Sequence, residues 1–129
     1  MMILLDSTTR IPPFEQLRAQ IALQVSAGAL RPGQRLPTIR KLAHQLELSN
    51  GTVARAYREL EYAGIINGRG SSGSFVADNP PVEYTADERH EKLTHAAAEA
   101  VRLSQQLGAT PSELLAAIDS QLRQQEQPS

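Results

Sequence analysis

The chain has 129 residues, of which 40% are hydrophobic and 21% are charged, and its formal net charge is −1. This length allows one domain of ordinary size with a small appendage. Cysteine is absent, which excludes disulfides, thiolate metal sites and cysteine nucleophiles. The first apolar run, residues 3–5, is too short for a signal peptide or a membrane span, so we expect a cytoplasmic protein.

Charge is divided unevenly along the chain. Residues 10–76 contain nine basic and four acidic side chains, a net charge of +5, whereas residues 77–129 contain four basic and nine acidic side chains, a net charge of −5. Such an asymmetry favours a nucleic-acid partner at the basic half. A chance unevenness is the alternative.

The first predicted elements are a short N-terminal segment and a helix. Residues 3–5 are apolar and precede a polar turn at residues 6–9, so they fit a brief strand or an unpaired tail equally well. Apolar residues then recur at intervals of three and four between a Pro-Pro entry and a glycine exit, which predicts a helix. Its inward face comprises Phe14, Leu17, Ile21 and Val25.

Two further helices are predicted after a Pro-Gly turn at residues 32–33. Thr38 can cap a helix of about eight residues, and Ser49 can cap a helix of about fourteen residues that closes at Gly64. A three-residue turn between them gives the layout of a helix-turn-helix. The inward faces are Ile39, Leu42, Ala43 and Leu46 in the first helix, and Val53, Ala56 and Leu60 in the second.

The second of these helices carries residue types that read base edges. Asn50, Gly51 and Arg55 point away from its inward face; Asn can pair with adenine and Arg with guanine in the major groove, while Gly permits close approach. The two helix starts at Thr38 and Ser49 suit phosphates, and Arg40 sits in a first turn where the dipole disfavours a cation without an anion beside it. Capping alone and a solvated face are the alternatives.

A β-hairpin is predicted after the helix-turn-helix. The β-prone runs at residues 65–66 and 74–76 flank a glycine-rich loop at residues 67–73. Arg69 stands between two glycines, where an arginine could enter a narrow minor groove or pair with phosphate. A plain tight hairpin without DNA contact is the alternative.

The C-terminal part is predicted to form two amphipathic helices, the first over residues 85–107 and the second capped by Thr110 and Glu113. Their apolar stripes cannot bury themselves, so we expect a homodimer through these helices; packing onto the chain's own N-terminal domain is the alternative. The stripes are Leu93, Ala96, Ala100, Leu103, Leu107, Leu115, Ile118 and Leu122. The expected domains are 1–77, a linker at 78–84, a tail at 85–125 and a frayed terminus at 126–129.

Several motifs occur together in this chain. They are a G-x-L-x-P-G turn at 28–33, LPTIRKLA at 36–43, TV-x-RAY-x-ELE at 52–61, an Ala-Gly-Ile stop at 63–65 and a G-S-F-V exit at 73–76. Over residues 12–76 the chain resembles the winged-helix domain of the GntR family of bacterial transcription regulators. The RAY motif and the short tail are similar to the YtrA subfamily.

The resemblance implies a mainly α fold with a small β-wing, in which a winged helix-turn-helix precedes a two-helix tail. Among the matching positions, it implies DNA contacts by Arg40, by the start of the recognition helix at Ser49, Asn50 and Thr52, and by a wing tip of Arg69, Gly70, Ser71, Ser72 and Gly73. Asn50 and Ala54 stand where many relatives outside the subfamily have arginine. Lys41 stands where many have glutamate, so a Thr38 capping box is lost.

These observations predict a sequence-specific DNA-binding regulator. We expect a dimeric repressor on a palindromic operator, released by an unidentified signal; a small-molecule effector would bind at the dimer interface or between tail and DNA-binding domain. An enzyme is disfavoured because His44, His90 and His95 are dispersed and no acid–base pair can be assigned, so no catalytic residue, metal or cofactor is expected. A winged helix used only for protein contacts is the second alternative.

Overall fold

The structure is a computed structural model that describes residues 1–81 and 85–126. It falls into two compact units, one up to Thr85 and one from Ala86. The elements of the first unit are α1 (Pro13–Ser26), α2 (Ile39–Leu46), α3 (Asn50–Tyr62), β1 (Ile66–Gly68), a single 3₁₀ turn (Gly70–Ser72) and β2 (Ser74–Val76), and those of the second are α4 (Ala86–Gln106) and α5 (Pro111–Glu126). The predicted class, mainly α with a small β-wing and a two-helix tail, is confirmed.

The first unit is built around one mainly aliphatic core. Most residues of the predicted inward faces are buried, and Ile39 and Leu46 pack partly buried at the edge of the core. Phe14 is the exception on α1, because it is only half-buried. The side chains with the least exposure are Tyr57, Leu17, Ile21, Leu30, Leu60, Ile66, Val53 and Val76.

Both predicted N-caps of the helix-turn-helix are present. Thr38 Oγ1 accepts a hydrogen bond from the backbone N–H of Lys41 at 3.1 Å, and Ser49 Oγ accepts one from the N–H of Thr52 at 3.1 Å. The turn between the helices has a feature that was not predicted, since Glu47 ends α2 in the left-handed region at φ 56°. A glycine usually occupies a left-handed position at a helix end. Because a glutamate stands here instead, the left-handed residue could not be predicted from the sequence.

The wing has a third extended segment in addition to the predicted hairpin. β1 and β2 pair antiparallel, with Asn67 opposite Phe75. On the other side of β2, Leu36 N–H donates to Ser74 C=O at 2.9 Å, and Arg35 forms an antiparallel bridge with Phe75. This segment was missed because it lies between two prolines and is too short to show an alternating pattern.

Residues 1–6, here called the N-terminal arm, are held against α1 by three glutamines spaced four residues apart. Each side-chain amide accepts a hydrogen bond from a backbone N–H of the arm and donates one to the carbonyl of the same residue. The pairs are Gln24 with Met2, Gln20 with Leu4 and Gln16 with Asp6, at N···O distances of 2.6–3.1 Å.

The ladder depends on a match between two spacings. Four residues of α-helix advance about 6 Å, and two residues of extended chain advance about 6.6 Å. The arm is therefore extended, as one of the two predicted possibilities required, but it is paired with side chains instead of another strand. The predicted turn after it is present: Thr8 donates to Asp6 Oδ1 from its N–H at 2.8 Å and from its hydroxyl at 2.6 Å, which lowers the pKa of Asp6.

The second unit consists of two helices with little buried surface. The predicted capping box is present, because Thr110 N–H donates to Glu113 Oε1 at 3.0 Å and Glu113 N–H donates to Thr110 Oγ1 at 3.2 Å. None of the described residues of α4 is buried, and no described helix is long and apolar enough to cross a membrane. The predicted linker and terminus extend to residues 82–84 and 127–129, which lie outside the described residues.

Replacing Gln20 tests the glutamine ladder. Gln20→Ala removes both hydrogen bonds to Leu4, each of which contributes ~0.5–1.5 kcal/mol, so exchange of the Leu4 amide hydrogen should accelerate by about tenfold. Gln20→Glu keeps the acceptor but places a carboxylate beside the Leu4 carbonyl, and exchange should also accelerate. Exchange is measured by NMR, with the exposed Gln45→Ala as the control. Unchanged Leu4 protection in Gln20→Ala would contradict the ladder.

Candidate nucleic-acid interface

An open groove of about 540 Å³ runs along α2 and the start of α3. Arg40, Lys41 and His44 contribute three basic side chains to it, and none of the described residues that line it is acidic. The complete lining is Thr38, Arg40, Lys41, Ala43, His44, Leu48 and Asn50. A groove of this chemistry suits an anionic ligand.

The groove brings together three of the sequence-predicted contact residues, Thr38, Arg40 and Asn50. All three are exposed. The hydroxyl of Thr38 already caps α2, so the predicted alternative of capping holds in addition to any phosphate contact. Their contact with DNA stays a prediction.

Two residues of the groove, Lys41 and His44, were not among the predicted contacts. His44 was considered only as one of three dispersed histidines, although it lies four positions after Arg40 and therefore on the same face of α2. That spacing was the available signal. It carried little weight because a single histidine on a short helix has many other roles.

The start of α3 presents its polar atoms in two ways. The hydroxyls of Ser49 and Thr52 lie 2.7 Å apart and bond to one another, whereas Asn50 and Gly51 are exposed. A Cβ added at Gly51 would meet only Ser49 Oγ, at 3.9 Å. Packing within the described chain therefore gives no reason for a glycine here, and the close approach of DNA at Gly51 stays a prediction.

Arg55 lies on a different flank of the recognition helix. Its guanidinium carbon is 3.7 Å from the centroid of the Phe14 ring, and its Nε is 3.7 Å from Glu59 Oε1. Arg55 therefore spans from α3 to α1 and is absent from the lining of the groove. Its position is consistent with a backbone contact beside the groove, and a base contact would require it to leave Phe14.

Tyr57 couples the recognition helix to the start of α2. Its ring is 1% exposed, and its hydroxyl donates to the carbonyl of Pro37 at 2.6 Å. Burial raises the pKa of the Tyr57 phenol well above its ordinary value, so it stays a donor at all physiological pH values. Tyr57 therefore belongs to the core, and its hydrogen bond fixes the residue that precedes the Thr38 cap.

The wing tip is a 3₁₀ turn that begins at Gly70 and is followed by Gly73, and both of these glycines have positive φ. Gly70 has φ 58° and Gly73 has φ 103°, values that side-chain-bearing residues adopt rarely. Arg69 is exposed, and its guanidinium carbon lies 4.7 Å from the centroid of the Phe75 ring. The loop therefore holds a cation at the surface, and the contact of Arg69 with DNA stays a prediction.

A helix-turn-helix whose basic groove lies on α2 and α3, followed by an arginine-bearing wing, defines a winged-helix DNA-binding protein. Residues 10–76 match the family described as "Bacterial regulatory proteins, gntR family". The chain belongs to this GntR family and is a DNA-binding transcription regulator, not an enzyme.

Two relatives and one solved structure illustrate the similarity. The chain is 45% identical over 104 residues to the HTH-type transcriptional regulator Rv1152 of Mycobacterium tuberculosis, and the aligned residues cover 81% of this chain and 80% of the relative. It is 35% identical over 78 residues to the HTH-type transcriptional repressor YtrA of Bacillus subtilis, 60% of each protein. The structure of AraR(DBD) in complex with operator ORX1 matches with a TM-score of 0.53 and 25% identity, over 60% of this chain and 96% of that one. The YtrA-like assignment is confirmed.

Gly51→Ala separates DNA contact from folding. Alanine is the better helix former by ~0.5–1 kcal/mol, so the thermal midpoint should stay equal or rise. DNA affinity should fall by about tenfold, the size of one lost base contact of ~1–3 kcal/mol. Fluorescence anisotropy with a labelled duplex and thermal melting measure the two effects.

The reverse substitution at an exposed position of α1, Ala19→Gly, is the control. It should lower the thermal midpoint and leave DNA affinity unchanged. Full DNA affinity in Gly51→Ala would show that the start of α3 does not approach the duplex closely.

Proposed function

We propose that this chain acts in the bacterial cytoplasm as a homodimeric repressor that occupies a palindromic operator and is released by a signal still to be identified. The observation that carries the DNA assignment is the basic groove in which Thr38, Arg40 and Asn50 meet. Two helix N-termini and three basic side chains border one surface, which suits a phosphate backbone beside a major groove.

The proposed contacts divide by chemistry. Thr38 and Arg40 on α2 contact phosphates, because the first helix of a helix-turn-helix crosses the backbone. The start of α3 enters the major groove, and the wing tip reaches phosphates or the adjacent minor groove. The residues of α3 are Ser49, Asn50, Gly51 and Thr52, with Arg55 on the backbone beside the groove, and those of the wing are Arg69, Gly70, Ser71, Ser72 and Gly73.

The proposal of a homodimer is supported by the exposed stripe of the tail. Its six large apolar side chains are between 42% and 74% exposed. Full burial of such a side chain from water contributes ~1.5–3 kcal/mol, so each of them could add the part of this that corresponds to its exposed fraction. Ala96 and Ala100 lie between them on α4, with Ala96 exposed and Ala100 half-buried. The large residues are Leu93, Leu103, Leu107, Leu115, Ile118 and Leu122.

Repression and release complete the proposal. The relative YtrA of Bacillus subtilis is named a repressor, and a dimer that covers an operator can block a promoter. None of the described residues of α4 is buried, so this helix encloses no pocket of the ~300–1,000 Å³ typical of small-molecule sites. We therefore propose that a small-molecule effector, where one acts, binds where the two tails meet.

Selection of bound sites from random duplexes tests operator recognition. The full-length protein should enrich two inverted half-sites whose centres are separated by about one helical turn or a multiple of it. Binding should weaken steeply with salt, with a slope of about −0.9 per phosphate contact. Absence of binding at low salt would favour a winged helix used only for protein contacts, and enrichment of a single half-site would contradict the symmetric dimer.

Polar substitutions in the tail test the dimer. The double variant Leu103→Ser, Leu115→Ser should sediment as a monomer, because it removes one large apolar contact from each tail helix. Operator affinity should fall by about a hundredfold, the lower end of what linking two binding modules provides.

Tyr62→Ser is the matched control, because Tyr62 is 96% exposed and belongs to the first unit. This variant should remain a dimer. A double tail variant that stays dimeric would contradict the proposal and would favour packing of the tail stripe within the same chain.

A further inference from the structure

We propose that Arg35, which the sequence did not single out, contacts the DNA backbone and forms a two-arginine phosphate clamp with Arg69 on the outer face of the wing. The proposal rests on the DNA-binding function proposed above and extends the interface to a third segment of the chain. Four observations carry it: strand pairing, a contact with Gly73, the support of Arg69 by Phe75, and the absence of an acidic partner.

Strand pairing places Arg35 in a row across the wing. Arg35 is bridged to Phe75, and Phe75 is paired with Asn67 on the other side. Directly opposed residues in neighbouring strands share one face of a sheet. Because side chains alternate along a strand, the neighbouring pair of Ile66 and Val76 points to the other face, and both are buried in the core. Arg35, Phe75 and Asn67 therefore form the outer face of the wing.

The guanidinium of Arg35 lies against the backbone of the wing loop. A Cβ added at Gly73 would be 3.3 Å from Arg35 Nε and 3.4 Å from Arg35 Nη2. A side chain at this position would therefore press on the guanidinium, in addition to the strain imposed by φ 103°. Gly73 thus serves two purposes: it allows the loop to turn, and it leaves room for the Arg35 guanidinium at the wing.

Arg69 is held on the same outer face. Its guanidinium carbon lies 4.7 Å from the centroid of the Phe75 ring, and Phe75 is the strand partner of Arg35. Stacking on an aromatic ring restricts a guanidinium while leaving its N–H donors available. Two arginines, one from the segment before α2 and one from the wing tip, are therefore positioned beside the same residue.

Neither arginine has an acidic partner within ion-pair distance in the part of the chain that the structure describes. The carboxylate of Glu61 approaches β1, since a Cβ added at Gly68 would be 2.7 Å from Glu61 Oε1. Gly68 follows Asn67, so alternation along the strand puts this carboxylate on the inner side of the sheet. The two positive charges therefore remain available to an anion from outside.

The shape of this cation pair favours a DNA backbone. Guanidinium groups present planar forks of N–H donors that match phosphate oxygens, and both arginines are exposed. Arg35 lies three residues before the Thr38 cap of the proposed α2 phosphate contact, and its guanidinium lies beside Gly73 of the proposed wing contact. Its position therefore connects two parts of the same surface.

The test compares the salt dependence of full-length variants on two duplexes, the selected operator and a shuffled sequence of equal composition. In Arg35→Gln and in Arg69→Gln, the slope of log affinity against log salt should each become shallower by about 0.9, the value for one phosphate contact. The ratio of the two affinities should stay unchanged, because backbone contacts carry no sequence information. Arg35→Lys should retain the slope.

Arg31→Gln is the matched control, because it removes the same charge from an exposed arginine four residues earlier; its slope should equal that of the wild type. If the slope of Arg35→Gln equals that of the wild-type protein, the clamp is overturned, while DNA binding by the wild-type protein still supports the proposed function. If the wild-type protein binds neither duplex, both proposals are overturned. A purely structural role for Arg35 would lower the thermal midpoint without changing the slope, and this result also overturns the clamp.

A second measurement needs no substitution at Arg35. In the wild-type protein, the Arg35 Nε–H resonance should shift when the operator duplex is added and return when salt is raised. If the α3 backbone resonances shift on addition of the duplex but the Arg35 Nε–H resonance does not, the clamp is overturned and the proposed function is retained.

Discussion

Burial of one face of α3 is the constraint on which the rest of the structure depends. Val53, Ala56, Tyr57 and Leu60 are at most 1% exposed, and they fix the rotation of the helix about its own axis. The opposite face is thereby left open, with Asn50 and Gly51 at its start. The Tyr57 hydroxyl extends this control to the start of α2 through Pro37. A regulator that reads bases needs this rigidity, because a rotation of the recognition helix about its axis would move all of its side chains relative to the DNA major groove.

The chain uses its aromatic residues to support cations as much as to fill the core. It contains two phenylalanines, both are half-buried, and each ring carries an arginine: Arg55 lies over Phe14 and Arg69 over Phe75. An arginine that is already restricted loses less side-chain entropy on binding. The buried core contains neither of these rings. Under the proposed function, they hold guanidinium groups at the surface for contact with a phosphate backbone.

The sequence predicted the elements that depend on local chemistry. The helix faces, the Ser49 and Thr110 caps and the hairpin were all visible as spacings or residue types within a few positions of each other. Features that join distant segments were missed, because neither partner is unusual by itself. The glutamines of α1 are ordinary surface residues until the arm lies beside them, and Arg35 is an ordinary loop residue until it is bridged to Phe75. The groove was predicted in part: Thr38, Arg40 and Asn50 came from cap and helix patterns. Lys41 and His44 were not among the predicted contacts, although His44 lies four residues after Arg40 on the same helix face.

The opposite charges of the two halves have a consequence for the proposed dimer. Residues 10–76 carry +5 and residues 77–129 carry −5, so the half that meets DNA is attracted while the half that meets its copy is repelled. The net charge of −5 already includes the basic members of ion pairs within α4 and α5, such as Arg102 with Glu99 and Arg123 with Asp119. Added salt screens both effects, and it weakens DNA binding through counterion competition while it favours association of the acidic tails. The helices α4 and α5 together carry seven acidic and four basic side chains, a net charge of −3. Two copies of the tail therefore repel each other at the low salt that favours DNA, and the apolar stripe must dominate their association.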